Sequence, residues 1–184
     1  VLRVSSGNSI LNDDLSNEKV CVSIEDAICL NASAVAFSIY IGSEHEHQTI
    51  VEFSELVNDA HRYGIPVLAV TAVGKDMSRD LRYLSLASRI AVELGADIVK
   101  TYYCEGFEKL VEACPVPVVV AGGKKTSEGE ALILASNAIK SGAAGVDMGR
   151  NIFQATSPKE MIKAIRSVVV DKISPSAALE KYQK

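Results

Sequence analysis

Apolar residues in this chain gather into short runs separated by longer amphipathic stretches, and the alternation continues from end to end. The runs are Val1 to Val4, Ala34 to Ile41, Pro66 to Val73, Asp97 to Tyr103, Val116 to Gly123 and Ala144 to Gly149. They are rich in valine, isoleucine and alanine and nearly continuous, as strands covered on both faces of a parallel sheet are. Between them lie stripes at helical spacing. Ile50, Phe53, Leu56, Val57 and Ala60 share one face and stop at Gly64 and Pro66; Leu81, Leu84, Ala87, Ala91 and Leu94 share another and stop at Gly95. Shorter helices are expected from Ser23 to Asn31 and from Gly106 to Ala113. Ser127 with Glu130 predicts a capping box, and Ser157-Pro158-Lys159-Glu160 predicts another with proline at the first helical position. The tail from Ile173 to Lys184 reads as a loose terminal helix.

Counting from Val1, these are six strand–helix units. Parallel strands need crossovers, which build either an open doubly wound sheet or a closed barrel. Periodicity leaves both open and leans towards the barrel. A full barrel takes about 250 residues. On that reading residues 1–184 form a single α/β domain, a parallel (β/α)8 TIM barrel with strands three to eight present and the first two units absent. The first residue is Val1 rather than methionine and already sits in a strand-like run, which fits this expectation.

Composition narrows the function. A charged fraction of 23% and a net charge of −4 leave no basic face for nucleic acid. No run reaches membrane-spanning length and the start lacks a signal pattern, so a cytoplasmic protein without membrane partners is expected. Cys21, Cys29, Cys104 and Cys114 have no C-x-x-C spacing and are expected as buried or half-buried free thiols.

Lys100 is the sharpest chemical feature. It falls near the C-terminal end of a buried-type strand, where barrel enzymes place reactive groups. Desolvation disfavours an ammonium there, so the amine can attack a carbonyl. A lysine snorkelling to the strand edge, or paired with a carboxylate, reads equally well from position alone. Gly122-Gly123 and Gly149-Arg150 end the next two strands, where backbone N–H groups and a guanidinium can hold phosphate. Tight turns are the plainer reading of the glycines. Lys124 and Lys125 read mainly as solvated loop lysines, and Lys75 faces the same mouth. His45 and His47, in Glu44-His45-Glu46-His47, suggest proton transfer more than metal binding, because no third ligand is indicated.

Several segments carry a resemblance. They are Asn8 to Leu11, Tyr40 to Glu44, Ala69 to Thr71, Gly74 to Met77, Ile98 to Tyr103, Ala121 to Lys125 and Gly145 to Gln154. Through them the chain resembles the class I aldolases of the deoxyribose-phosphate and archaeal fructose-bisphosphate type, over essentially its whole length. The resemblance implies an eight-stranded barrel with Lys100 as the Schiff-base lysine and phosphate contacts from Gly122, Gly123, Gly149 and Arg150. Gly-Gly-Lys-Lys and Val-Asp-Met-Gly-Arg favour an acyl-transferring branch. That branch moves an acetyl group from a phosphorylated dione to coenzyme A as co-substrate, with no bound cofactor and no metal, and forms homo-oligomers. His45 is the candidate for proton transfer beside Lys100. Ala72 stands where the aldolases carry a tyrosine general acid, and an Asp-His-Gly segment of the family's first strand is not in this chain. A class I aldolase acting on a phosphorylated sugar and an inactive barrel fragment are the competing expectations.

Overall fold

A computed structural model of the chain describes residues 1–9, 11–74 and 77–183. Six parallel strands form one curled sheet in the order β1-β4-β5-β6-β7-β8. These are β1 (Leu2–Arg3), β4 (Val35–Ile41), β5 (Val67–Val73), β6 (Ile98–Thr101), β7 (Val118–Ala121) and β8 (Gly145–Asp147). After β1, β2 (Ser5–Ser6) and β3 (Lys19–Val20) pair as a two-stranded antiparallel ribbon. The helices are α1 (Ile24–Cys29), α2 (Glu46–Arg62), α3 (Leu81–Glu93), α4 (Phe107–Ala113), α5 (Glu128–Lys140), α6 (Arg150–Phe153), α7 (Pro158–Val169) and α8 (Pro175–Tyr182). Among the described residues no helix is long and apolar enough to cross a membrane.

Register explains the layering. Ser38 pairs with Val70, Val70 with Lys100, Lys100 with Val119 and Val119 with Gly145. Because side chains alternate along a strand, the intervening residues form the opposite set. Phe37, Ile39, Ala69, Val99 and Val120 all have no exposed surface and pack with helix residues such as Phe53, Leu84 and Ala87. The first set is different. Tyr40, Val70, Lys100, Val119 and Ala121 are only half-buried, on the concave side of the sheet. The expectation of strands covered on both faces therefore holds on the helix side alone: the concave side opens onto a cavity and carries polar groups.

The caps show where sequence patterns succeed and fail. Ser127 accepts the Glu130 N–H at 3.3 Å, and the Glu130 carboxylate accepts the Ser127 N–H at 2.9 Å, completing the expected capping box. Ser157 makes no such bond. Its backbone sits at φ −130° and ψ 91°, its N–H donates to the Tyr182 hydroxyl at 3.2 Å, and Glu160 pairs with Lys163 instead. Tyr182 belongs to α8, which is not loose. Ser174 caps that helix, and Ala178 is fully buried in the cluster built around Leu132 and Met161. The thiols also divide: Cys104 and Cys114 are buried, whereas Cys21 and Cys29 are exposed, because they lie on β3–α1 segments that run over the surface.

This contrast gives a stability test. Ser127→Ala should lower the unfolding free energy by about 1 kcal/mol, as loss of a working cap does. Ser157→Ala should change it by less than about 0.5 kcal/mol. Urea unfolding of the two variants checks both values.

Candidate active site

The concave face and the loops beyond the C-terminal strand ends enclose a cavity of about 520 Å³. Lys100, Gly122, Gly123, Gly149 and Arg150 all line it. Residues read separately along the sequence thus meet in one space.

Lys100 sits on β6, and Thr71 Oγ1 on the neighbouring strand donates to its carbonyl oxygen at 3.2 Å. Its Nζ lies 2.8 Å from Asp147 Oδ2 at the end of β8. The carboxylate-paired reading and the reactive reading of this lysine are therefore compatible. An ammonium must lose its proton before it attacks a carbonyl, and Asp147 is an acceptor already in contact. Sequence reasoning gave Asp147 no role, although two residues further on it had singled out Gly149.

The glycines have separate reasons for being glycines. A side chain at position 122 would meet Met148 Cγ at 2.8 Å and its Cα at 3.1 Å, so the two loops touch there. Gly123 has φ +67°, which L side chains rarely adopt. Asn151, 1% exposed, ties the loops together. Its amide nitrogen donates to the carbonyls of Gly122 at 2.8 Å and Lys124 at 3.2 Å, and its oxygen accepts the Thr126 N–H at 2.9 Å. This amide was also missed. A buried asparagine beside glycine-rich ends was the available signal. Arg150 opens α6 on the cavity side. Lys124 is exposed, and Lys125 pairs with Glu128 at 3.2 Å, so neither lines the cavity. Lys75 lies outside the described residues.

His45 stands apart from this group. It occupies the N-cap position of α2 without a side-chain capping bond and is not among the cavity-lining residues. Its ring is instead near Asp14 and Glu44, the donor atoms of the three lying within 4.8 Å of one another. His47 is exposed in the first turn of α2.

Opposite Lys100 the wall carries a polar network that the sequence reading did not anticipate. Arg3 Nη2 donates to both Glu18 oxygens, at 2.6 and 2.7 Å, and to Ser38 Oγ at 2.6 Å. Ser5 Oγ donates to Glu18 Oε2 at 2.6 Å, and Tyr40 Oη donates to Glu18 Oε1 at 3.1 Å. Burial works to lower the Arg3 pKa, but its contacts with Glu18 leave it above the ordinary value. Burial first, and the Glu18 charge second, push the Tyr40 phenol up to about 12. On the rim, the Arg79 guanidinium lies 4.0 Å from the centre of the Tyr102 ring.

A curled parallel sheet with a lysine near a strand end and paired glycine loops is the arrangement expected of a class I aldolase. The family model for DeoC/LacD family aldolases matches residues 1–155, and the chain belongs to that family. It is 57% identical to the 3-hydroxy-5-phosphonooxypentane-2,4-dione thiolase of Klebsiella pneumoniae over 100% of this chain and 62% of the relative. The thiolase of the same name from Enterobacter sp. (strain 638) is 58% identical over the same shares. The chain thus spans 62% of the length of these curated relatives. Among solved structures, an archaeal fructose 1,6-bisphosphate aldolase is 30% identical with a TM-score of 0.85, over 92% of this chain and 70% of that one. A further archaeal fructose-1,6-bisphosphate aldolase, 29% identical with a TM-score of 0.85 over the same shares, has its catalytic lysine covalently bound to the carbinolamine intermediate of the substrate.

Removing the Asn151 side chain leaves the half-buried carbonyl of Gly122 without its donor. Asn151→Ala should therefore cost about 1–3 kcal/mol in urea unfolding.

Proposed function

We propose that this protein cleaves a carbon–carbon bond through a Schiff base on Lys100 and transfers the released acetyl group to coenzyme A. The substrate is a phosphorylated 3-hydroxypentane-2,4-dione, and the products are dihydroxyacetone phosphate and acetyl-CoA, as a step in the breakdown of the signal autoinducer-2. The observation that carries the reading is Lys100 in the cavity, 2.8 Å from Asp147 and facing the same space as both glycine loops. The names of the thiolase relatives support the choice of substrate.

In this mechanism the Lys100 amine, relieved of its proton by Asp147, condenses with the ketone next to the phosphate-bearing carbon and releases water. The thiol sulfur of coenzyme A, as thiolate, attacks the acetyl carbonyl. The bond between that carbonyl and the hydroxyl-bearing carbon breaks, its electron pair flows to the iminium nitrogen, and acetyl-CoA leaves. The resulting enamine gains a proton at carbon, and water releases the product ketone from Lys100. Gly122, Gly123, Gly149 and Arg150 hold the phosphate, so remote binding energy aligns the reacting carbons. Coenzyme A is a co-substrate, and no resident cofactor takes part. We also propose that the six strands act as strands three to eight of one barrel domain and that the protein works as a cytoplasmic homo-oligomer.

The likeness to archaeal fructose-bisphosphate aldolases favours a second reading, cleavage of a phosphorylated sugar without an acyl acceptor. Borohydride reduction in the presence of dihydroxyacetone phosphate should add the mass of that ketone, less water and plus two hydrogens, to the peptide that contains Lys100, and Lys100→Met should abolish the label. Labelling elsewhere, or none, would sink the Schiff-base mechanism. Cleavage that proceeds equally without coenzyme A would favour the aldolase.

Asp147→Asn keeps the shape of that side chain but removes the proton acceptor. The initial rate of adduct formation should fall by about 10²-fold, read by intact mass after timed reduction.

A further inference from the structure

The enamine in the mechanism above must gain a proton at carbon, and the described cavity offers few groups that can supply one. Asp147 is engaged by Lys100 at 2.8 Å. Tyr102 lies beneath the Arg79 guanidinium. Arginine side chains do not release protons in the working pH range. Asp13 and Asp14 also line the cavity, Asp13 exposed and Asp14 accepting the Ser16 N–H at 2.8 Å. Tyr40 differs from all of these because its hydroxyl already donates to a buried carboxylate that can relay a proton, Glu18 Oε1 at 3.1 Å.

Placement fits the task. Tyr40 is the register partner of Ala72, while Ser38, two residues earlier, shares the row of Val70 and Lys100. Two strand spacings and two residues of rise separate the backbones of Tyr40 and Lys100 by about 10 Å across and about 7 Å along the strands. Both side chains line the cavity, and Ala72, between them, is too small to fill the gap. A substrate of a few carbons on Lys100 spans that distance.

Glu18 is equally well prepared. It is 7% exposed, and its two oxygens receive Arg3, Ser5 and Tyr40, so its position is fixed from three sides. Resting on the Schiff-base reading, we infer that Tyr40, backed by Glu18, transfers the proton to and from the carbon adjacent to the imine on Lys100. In the cleavage direction Tyr40 gives its hydroxyl proton to the enamine carbon, the carbon's electron pair forms the new C–H bond, and the iminium is restored. The phenolic oxygen takes back a proton through Glu18, whose carboxylate relays one from solvent in place of the proton that the coenzyme A thiol released. In reverse, the phenolic oxygen takes the C–H proton as its own passes to the Glu18 carboxylate, and the C–H electron pair flows to the iminium nitrogen. With its pKa pushed up by burial and by Glu18, Tyr40 rests as a neutral phenol, so it carries protons without storing charge. Tyr40 is thus a catalytic residue; Glu18 and Arg3 are positioning residues that act through it.

The reverse half-reaction tests this without coenzyme A. Dihydroxyacetone phosphate is incubated with the full chain in D₂O, loss of its hydroxymethyl C–H signal is followed by NMR, and parallel samples are reduced with borohydride. The wild-type protein should both trap at Lys100 and exchange. Tyr40→Phe should trap to the same extent but exchange about 10²-fold to 10⁴-fold more slowly. Glu18→Gln should show the same split, which loss of structure alone would not produce, because an unfolded site does not trap. If Glu18→Gln fails to trap, Tyr40→Phe alone decides. Trapping with exchange at the wild-type rate in Tyr40→Phe overturns the inference while leaving the Schiff base standing. Trapping without exchange in the wild type also overturns the inference alone. No adduct in the wild type removes the Schiff-base reading and the inference with it.

Discussion

Side-chain alternation along strands held in parallel register governs nearly everything in this molecule. Register partners across β4, β5, β6, β7 and β8 form rows, and neighbouring rows point to opposite faces. The row containing Phe37, Ala69 and Val99 meets the helices and is sealed. The row containing Ser38, Val70 and Lys100 meets the cavity. A shift of one residue in β6 would exchange its two sets, placing Lys100 among the helix side chains and a valine in the site. Apolar packing on one face thus fixes the position of the chemistry on the other.

The cavity side concentrates ionic groups that a sheet would otherwise avoid. Glu18 is the most demanding of them, because a buried carboxylate must be compensated by partners that are fixed in place. Arg3, Ser5 and Tyr40 provide that compensation, and they come from the first strand, the ribbon and the second strand of the sheet. The ribbon of β2 and β3 flanks Glu18, so the role of that small element is to deliver one carboxylate to the wall. Lys100 and Asp147 form the second ion pair, from strands at ranks four and six of the sheet order. This second pair connects strands that are not hydrogen-bonded neighbours and so spans the curl of the sheet.

Much of the scaffold was legible in the sequence because it rests on repetition. The long strands announce themselves as nearly continuous apolar runs, α2 and α3 through apolar residues at a constant period that stop at Gly64 and Gly95, and α5 through the Ser127–Glu130 pair at its start. The strand runs overreached at their ends, as β6 stops at Thr101 and not at Tyr103, because composition does not reveal where hydrogen bonding stops. Two-residue strands such as Ser5–Ser6 contain no period at all. In the site, Lys100 and the glycine pairs were readable because each is unusual for its place at a strand end. Asp147, Glu18, Tyr40 and Asn151 were not. Each gains its meaning from partners 13 to 47 residues away in sequence, and no local pattern encodes such a meeting. His45 shows the converse: a conspicuous residue type in a suggestive tetrapeptide whose backbone, at the start of α2, sets it outside the cavity.

Asn151 has a consequence for how such a site can diversify. One amide closes hydrogen bonds to Gly122, Lys124 and Thr126, so two loops that leave different strands form a single mechanical body. An insertion tolerated by either loop in isolation would break the bonds that shape the other. The two loops therefore behave as a cassette: reshaping this end of the cavity requires exchanging residues 122–127 and 149–151 together.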